Sequence, residues 1–134
     1  MEIAKKDIIT RADIEKLMLA FYGKVKQDEI IGFIFNDVAK INWEVHVPII
    51  VDFWETLLLN NHVYNKNAME VHYHLNKLTP LLPEHFERWL GLFTATVDEM
   101  FEGKVAASAK SKARSIAAVM QFKMQENKNK KSIL

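Results

Sequence analysis

Five histidines, His46, His62, His72, His74 and His85, are the residues best suited to metal or acid–base chemistry, and the chain has no cysteine. Their spacing limits what they can do. On a helix His72 and His74 would point to nearly opposite sides, because partners on one face sit three or four residues apart. No H-x-x-x-H or H-E-x-x-H pattern occurs, and no thiolate is available to complete a zinc site. The missing cysteines also exclude disulfides, iron–sulfur clusters and a thiol nucleophile. What remains open is a site that needs only one imidazole.

A porphyrin iron has that requirement: one axial imidazole, a flat apolar slot, and polar groups on the opposite side. His72 lies in a short segment with Met69 and Leu75. Phe35, Ile50, Phe53, Trp54, Phe86 and Phe93 could line the slot. Tyr22, His46 and Trp89 each bring a polar atom onto an otherwise apolar helix face. Covalent attachment is excluded, since it needs C-x-x-C-H. Each of these residues also has an ordinary reading. A histidine on an apolar face is commonly a satisfied core or boundary residue, and His46 is then a first-turn surface residue. Tyr22 and Trp89 are then core aromatics whose O–H and N–H find a carbonyl. His62 and His85 read as solvated, and the methionines as core filler.

Helices must position these groups. Thr10-Arg-Ala-Asp13 has the form of a helix start, a Thr cap with an acid three residues on. Ile14, Leu17, Met18, Phe21, Tyr22 and Val25 follow at helical spacing, and Gly32 closes the region. Phe33 to Asp37 reads as a short helical turn or corner. A second helix starts between Asn42 and His46, with Pro48 favouring a late start or a kink. Its stripe is His46, Ile49, Ile50, Phe53, Trp54, Leu57 and Leu58, and Asn60-Asn61-His62 closes it. Ala68 to Leu75 could form two further turns. Pro83 suits the first position of a helix carrying Phe86, Trp89, Leu90, Phe93, Val97 and Met100, with Gly103 as its stop. A last helix runs from about Val105 to Met124, on Ala109, Ala113, Ile116, Met120 and Met124. The irregular stretch 59–83 is long for a compact bundle, and a bound cofactor is one reason for such a stretch.

Composition sets the outer limits. The chain has 134 residues, enough for one domain, and 49% hydrophobic residues, enough for a real core. Only 4 Gly and 3 Pro are present, too few for a many-turned β sandwich or barrel. The formal net charge of +1 points to no polyanionic partner, so no nucleic acid is expected. No uncharged stretch approaches the ~20 apolar residues of a membrane span. The first residues carry no signal-peptide pattern. Lys128, Lys130 and Lys131 read as a solvated tail.

Several segments together resemble the truncated haemoglobins, and group III in particular. Phe21-Tyr22 is followed by Gly32 and Ile34-Phe35-Asn36. Trp43-Glu-Val-His46 leads into Asp52-Phe53-Trp54. The most specific run is His72-Tyr-His-Leu75, followed by Pro83-Glu-His-Phe86-Glu-Arg-Trp89-Leu-Gly-Leu-Phe93. The resemblance spans about Ile14 to Met124. It implies an all-α fold, a shortened globin in which two helix pairs sandwich non-covalent haem b. It implies His72 as the iron ligand, Tyr22, His46 and Trp89 as distal residues, and Phe35 as a ring packed on the haem, with Leu82 added to the slot. Group III lacks the glycine pairs of the other groups, and no Gly-Gly occurs here. Phe33 departs from a common proline, and Lys66-Asn67-Ala68 from a common Gly-x-Pro.

The resemblance further implies a globin-like haem domain over residues 1–124 and a frayed polar tail over 125–134. It implies a cytoplasmic monomer or weak dimer that binds O2, NO, CO or cyanide, with an electron donor if it turns over. Two distal donors would slow oxygen release, which favours ligand-linked redox chemistry or sensing over transport. NO dioxygenation and weak peroxidase-like activity stay open. The competing reading from another class is a cofactor-free helical interaction module, with residues 59–83 as a partner groove.

Overall fold

The computed structural model of the chain describes residues 5–64, 76 and 79–133, with side chains through Gln125. Four long helices make up the described residues: α1 (Arg11–Lys26), α2 (Trp43–Leu59), α3 (Pro83–Met100) and α4 (Lys104–Ile133). A π-helical turn, Ile34–Val38, lies between α1 and α2. Helix α1 packs against α2 and α3, and α3 packs against α4. The core between them is built on Ile14, Leu17, Met18, Phe21, Val25, Val51, Trp54, Phe93, Val97, Ala109 and Ala113.

The start of α1 follows its sequence signal. Thr10 Oγ1 accepts from the Asp13 N–H, and Asp13 Oδ2 accepts from the Thr10 N–H, which closes a capping box. Its end comes earlier than Gly32, at Lys26. Asp28 then turns the chain, accepting from the N–H groups of Ile30 and Ile31 at 3.0 Å each. The corner at Phe33–Asp37 is a π turn, with the Ala39 N–H donating to Ile34 O at 2.8 Å.

Helix α2 starts early and carries Pro48 inside it. The proline has no N–H, so the Glu44 carbonyl loses its partner one turn later. Asn60 ends α2 in the left-handed region at φ 59°, a conformation asparagine tolerates. The short helix expected over Ala68–Leu75 lies outside the described residues.

Two boundaries correct the sequence reading. Gly103 does not stop α3, which ends at Met100. It precedes α4, at φ +142°. A Cβ there would lie 2.5 Å from the Asp7 carboxylate, which accepts from the N–H groups of Val105 and Ala106 at 3.0 and 2.8 Å. Asp7 thus does for α4 what a neighbouring cap residue would do, from the far end of the chain. Helix α4 also continues past Met124 to Ile133. Residues 125–133 contain no Gly or Pro, and extending a formed helix costs little.

Ion pairs join the layers at their edges. Arg11 Nη1 donates to both Asp52 Oδ1 and Glu55 Oε1 at 2.7 Å, tying the first turn of α1 to α2. Arg88 on α3 donates to Asp28 at 2.8 Å through Nε and 2.6 Å through Nη2. No described helix is long and apolar enough to cross a membrane.

Candidate functional site

A cavity of about 400 Å³ opens between α1, the π turn, α2, α3 and α4. Its walls are nearly all apolar. Ile31, Ile34 and Phe35 form one side, and Ile49, Ile50, Phe53 and Trp54 on α2 form another. Leu81, Phe86 and Trp89 come from α3 and its lead-in, and Ile116, Ala117 and Met120 from α4. Polar atoms enter on Tyr22, His46, Tyr64, His85 and the two tryptophans. No described Asp, Glu, Lys or Arg lines it. Among the described residues no cluster of His, Cys, Asp or Glu could hold a metal ion by itself.

Aromatic packing fixes the walls. Phe93 stacks between Trp89 (5.5 Å, 14°) and Trp54 (4.9 Å, 21°), and Phe21 meets it edge-on at 5.2 Å. Trp89 and Trp54 are thereby held as flat panels facing the cavity. Phe93 is expected in the lining but is fully buried behind these rings. Leu82 is also expected there. It stands 37% exposed, and the neighbouring Leu81 faces the cavity instead, its N–H held by Asn76 Oδ1 at 2.9 Å. Successive residues in extended chain face opposite ways, and sequence spacing does not say which one turns inward.

Tyr22 is the site's most perturbed group. It is 7% exposed, and burial pushes its hydroxyl up to about 12, with the Trp89 indole N–H acting the other way. It therefore stays protonated across the physiological range. Trp89 comes from α3 and Tyr22 from α1, so the contact joins two elements. His46 lies half-buried at the α2 side of the cavity.

Tyr64 and His85 supply further polar groups to the lining. Tyr64 is brought in by Thr56, whose Oγ1 accepts from the N–H groups of Val63 and Tyr64 at 3.2 and 3.0 Å. Its ring meets Phe53 edge-on at 5.1 Å, and burial raises its hydroxyl. His85 reads as solvated in the sequence but is half-buried in the lining. Its Nδ1 accepts from the Leu82 N–H at 3.0 Å at the start of α3. His62 is exposed, as expected. Met69, His72 and Leu75 lie outside the described residues, as does His74.

The chain is 32% identical over 120 residues to a group 3 truncated haemoglobin of Campylobacter jejuni, a match covering 87% of this chain and 92% of the relative. It belongs to the group III truncated haemoglobins. The crystal structure of the group III truncated haemoglobin from Campylobacter jejuni superposes with a TM-score of 0.78 at 31% identity, over 90% of this chain and 94% of that one. No family model matches the sequence. The all-helical truncated globin fold expected from the sequence is the fold observed. Membership implies a haem cofactor, and the described cavity suits one: it is apolar, uncharged, panelled with flat rings, and holds a protonated hydroxyl in its depth. In this truncated haemoglobin Tyr22, His46 and Trp89, expected on the distal side, converge on that one cavity with Phe35, Ile50, Phe53, Trp54 and Phe86.

Proposed function

We propose that this chain holds haem b without a covalent bond and binds O2 and related diatomic ligands, NO, CO and cyanide, for ligand-linked redox chemistry or sensing rather than transport. The observation that carries the reading is that the Tyr22 hydroxyl and the Trp89 indole line one apolar, uncharged cavity together with His46. His72 would supply the axial imidazole, with Met69 and Leu75 beside it. Phe35, Ile50, Phe53, Trp54 and Phe86 would hold the ring faces and edges. When bound, the haem would supply an iron able to take up a diatomic ligand and to draw partial negative charge onto it.

The protein's part is to meet that charge with donors. Indole nitrogen only donates, so the Trp89 N–H, like the Tyr22 O–H, can offer its proton into the cavity. Because burial keeps the phenol protonated, the donor persists at any physiological pH. A hydrogen bond to a charged acceptor contributes roughly 1.5–3 kcal/mol. Tenfold in release rate is about 1.4 kcal/mol, so Tyr22 alone slows release by one to two orders of magnitude. A carrier needs faster release than that. His46 would act at the α2 side as a gate or as a proton donor and acceptor. An imidazole ligand lacks the electron push of a thiolate, which favours binding and modest redox turnover over strong oxygenase chemistry. In this reading residues 1–124 form the haem domain of a cytoplasmic monomer or weak dimer, served by an electron donor.

An absorbance scan of the purified full chain, ferric, ferrous and carbonmonoxy, tests the reading. A strong Soret band with a five-coordinate ferrous form is expected. A folded, colourless protein that refuses haemin overturns it and leaves a helical interaction module.

A further inference from the structure

Trp43 touches the cavity only through other residues, yet it contacts much of what the site depends on. It is the first residue of α2 and is absent from the cavity lining. Its ring lies 5.3 Å from Tyr22 on α1 and 6.0 Å, stacked at 26°, from Phe35 on the π turn. Tyr22 and Phe35 are themselves 6.0 Å apart, edge to face. Three rings from three elements thus close a triangle. The Lys26 ammonium, at the last residue of α1, sits 4.8 Å over the Trp43 ring on its way to solvent.

The triangle matters because it joins the start of α2 to α1 and the π turn through side chains, beside the backbone bond from the Ile41 N–H to Phe35 O at 3.0 Å. Asn42 makes no side-chain capping bond. Pro48 removes the N–H that the Glu44 carbonyl would meet in the second turn. The other tie from α1 to α2, Arg11 to Asp52 and Glu55, acts two turns further along. His46 sits one turn after Trp43, its N–H bonded to Asn42 O at 2.9 Å, between that ring and Pro48.

We infer that Trp43 is a positioning residue which, clamped by Lys26, Tyr22 and Phe35, sets the pose of the Tyr22 hydroxyl and the register of His46 together. Losing the ring loosens two distal groups at once, without removing an atom from the cavity wall. The Tyr22 half of this inference rests on the proposed ligand-binding role, whereas the His46 half concerns α2 alone.

The test uses the full chain and three variants, Trp43→Leu, Trp43→Phe and Tyr22→Phe. Amide hydrogen exchange at Val45, His46 and Val47 reads the helix start, with or without haem. The C–O stretching band of the carbonmonoxy form reads the distal hydrogen bond. In W43L exchange at these amides should rise at least tenfold over the rise at α1 amides, and the band should shift toward that of Y22F. W43F, which keeps a ring in place, should restore most of both. The inference is overturned if W43L leaves exchange and band unchanged, or if exchange rises equally throughout the molecule. It is overturned too if W43F fails to restore either readout. If instead the Y22F band does not move, the ligand-binding role of Tyr22 fails while the exchange data still judge the clamp.

Discussion

At the scale of single residues, Tyr22 carries the chemistry, and its burial makes two separate predictions. Tyr22→Phe removes the donor but keeps the ring against Phe21 and Trp43, so oxygen release should accelerate about ten- to hundredfold in stopped-flow displacement. An unchanged rate would reject the donor. The second concerns alkali. The phenol titrates near 12 in the fold and near 10 in an unfolded chain, so its contribution to stability is intact below pH 10 and disappears as pH rises toward 12. Denaturation of the cofactor-free protein at pH 8 and pH 11 should show this loss, and Y22F should blunt it. Tyr22, His46 and Trp89 were legible because a polar atom inside an apolar stripe stands out. Phe93 was not separable from true lining residues. Its stripe on α3 serves the cavity on one side and the core on the other, and periodicity does not say which side a ring faces. His85 was hidden because its polarity is spent on its own helix start, a local bond with no distinctive spacing.

At the scale of elements, sequence signals named four helices correctly but set some of their ends wrongly. The capping box at Thr10 and the proline opening α3 were readable because both partners lie within four residues. The cap of α4 was not, since Asp7 is 98 residues from Val105. Replacing Asp7 by Ala strips the Ile8, Val105 and Ala106 N–H groups of their acceptor and should cost about 1–2 kcal/mol in urea unfolding. Gly103→Ala should cost more than the usual exchange, because φ +142° and the nearby carboxylate both resist a Cβ. Pro48 makes the opposite prediction. It stands well inside α2, so Pro48→Ala restores a backbone bond and should raise the melting temperature. A fall in melting temperature would mean that the proline bend itself is needed for packing.

For the whole molecule, four carboxylates tie segments of the chain together, and all are held below their ordinary range. Hydrogen bonds and charge from Lys6 lower Asp13, those from Arg88 lower Asp28, and those from Arg11 lower Glu55. At Asp7 burial acts upward, but backbone N–H groups of Val105, Ala106, Ile8 and Lys104 together outweigh it. Each group binds its proton less readily folded than unfolded. Their joint contribution is therefore complete above the unfolded values near 4 and is lost as pH falls through the lower folded ones. Urea midpoints measured at pH 7 and pH 3 should fall steeply, and a flat profile would show that these contacts are not formed in solution. The truncated globin architecture was legible in the long motif after His72, whereas the cross-chain ties that hold it depend on contacts no local pattern records.

The bond between Asp7 and the start of α4 also bears on the order of synthesis. Ile116, Ala117 and Met120, which close one wall of the cavity, sit on that last helix. A polypeptide emerging from the ribosome has its first residues free long before residues 105–120 are exposed. Its opening segment must wait for nearly the entire chain before it finds its partner, and until then the pocket lacks a side. The cavity is thus complete only after residues 105–120 have been made and Asp7 has closed on them.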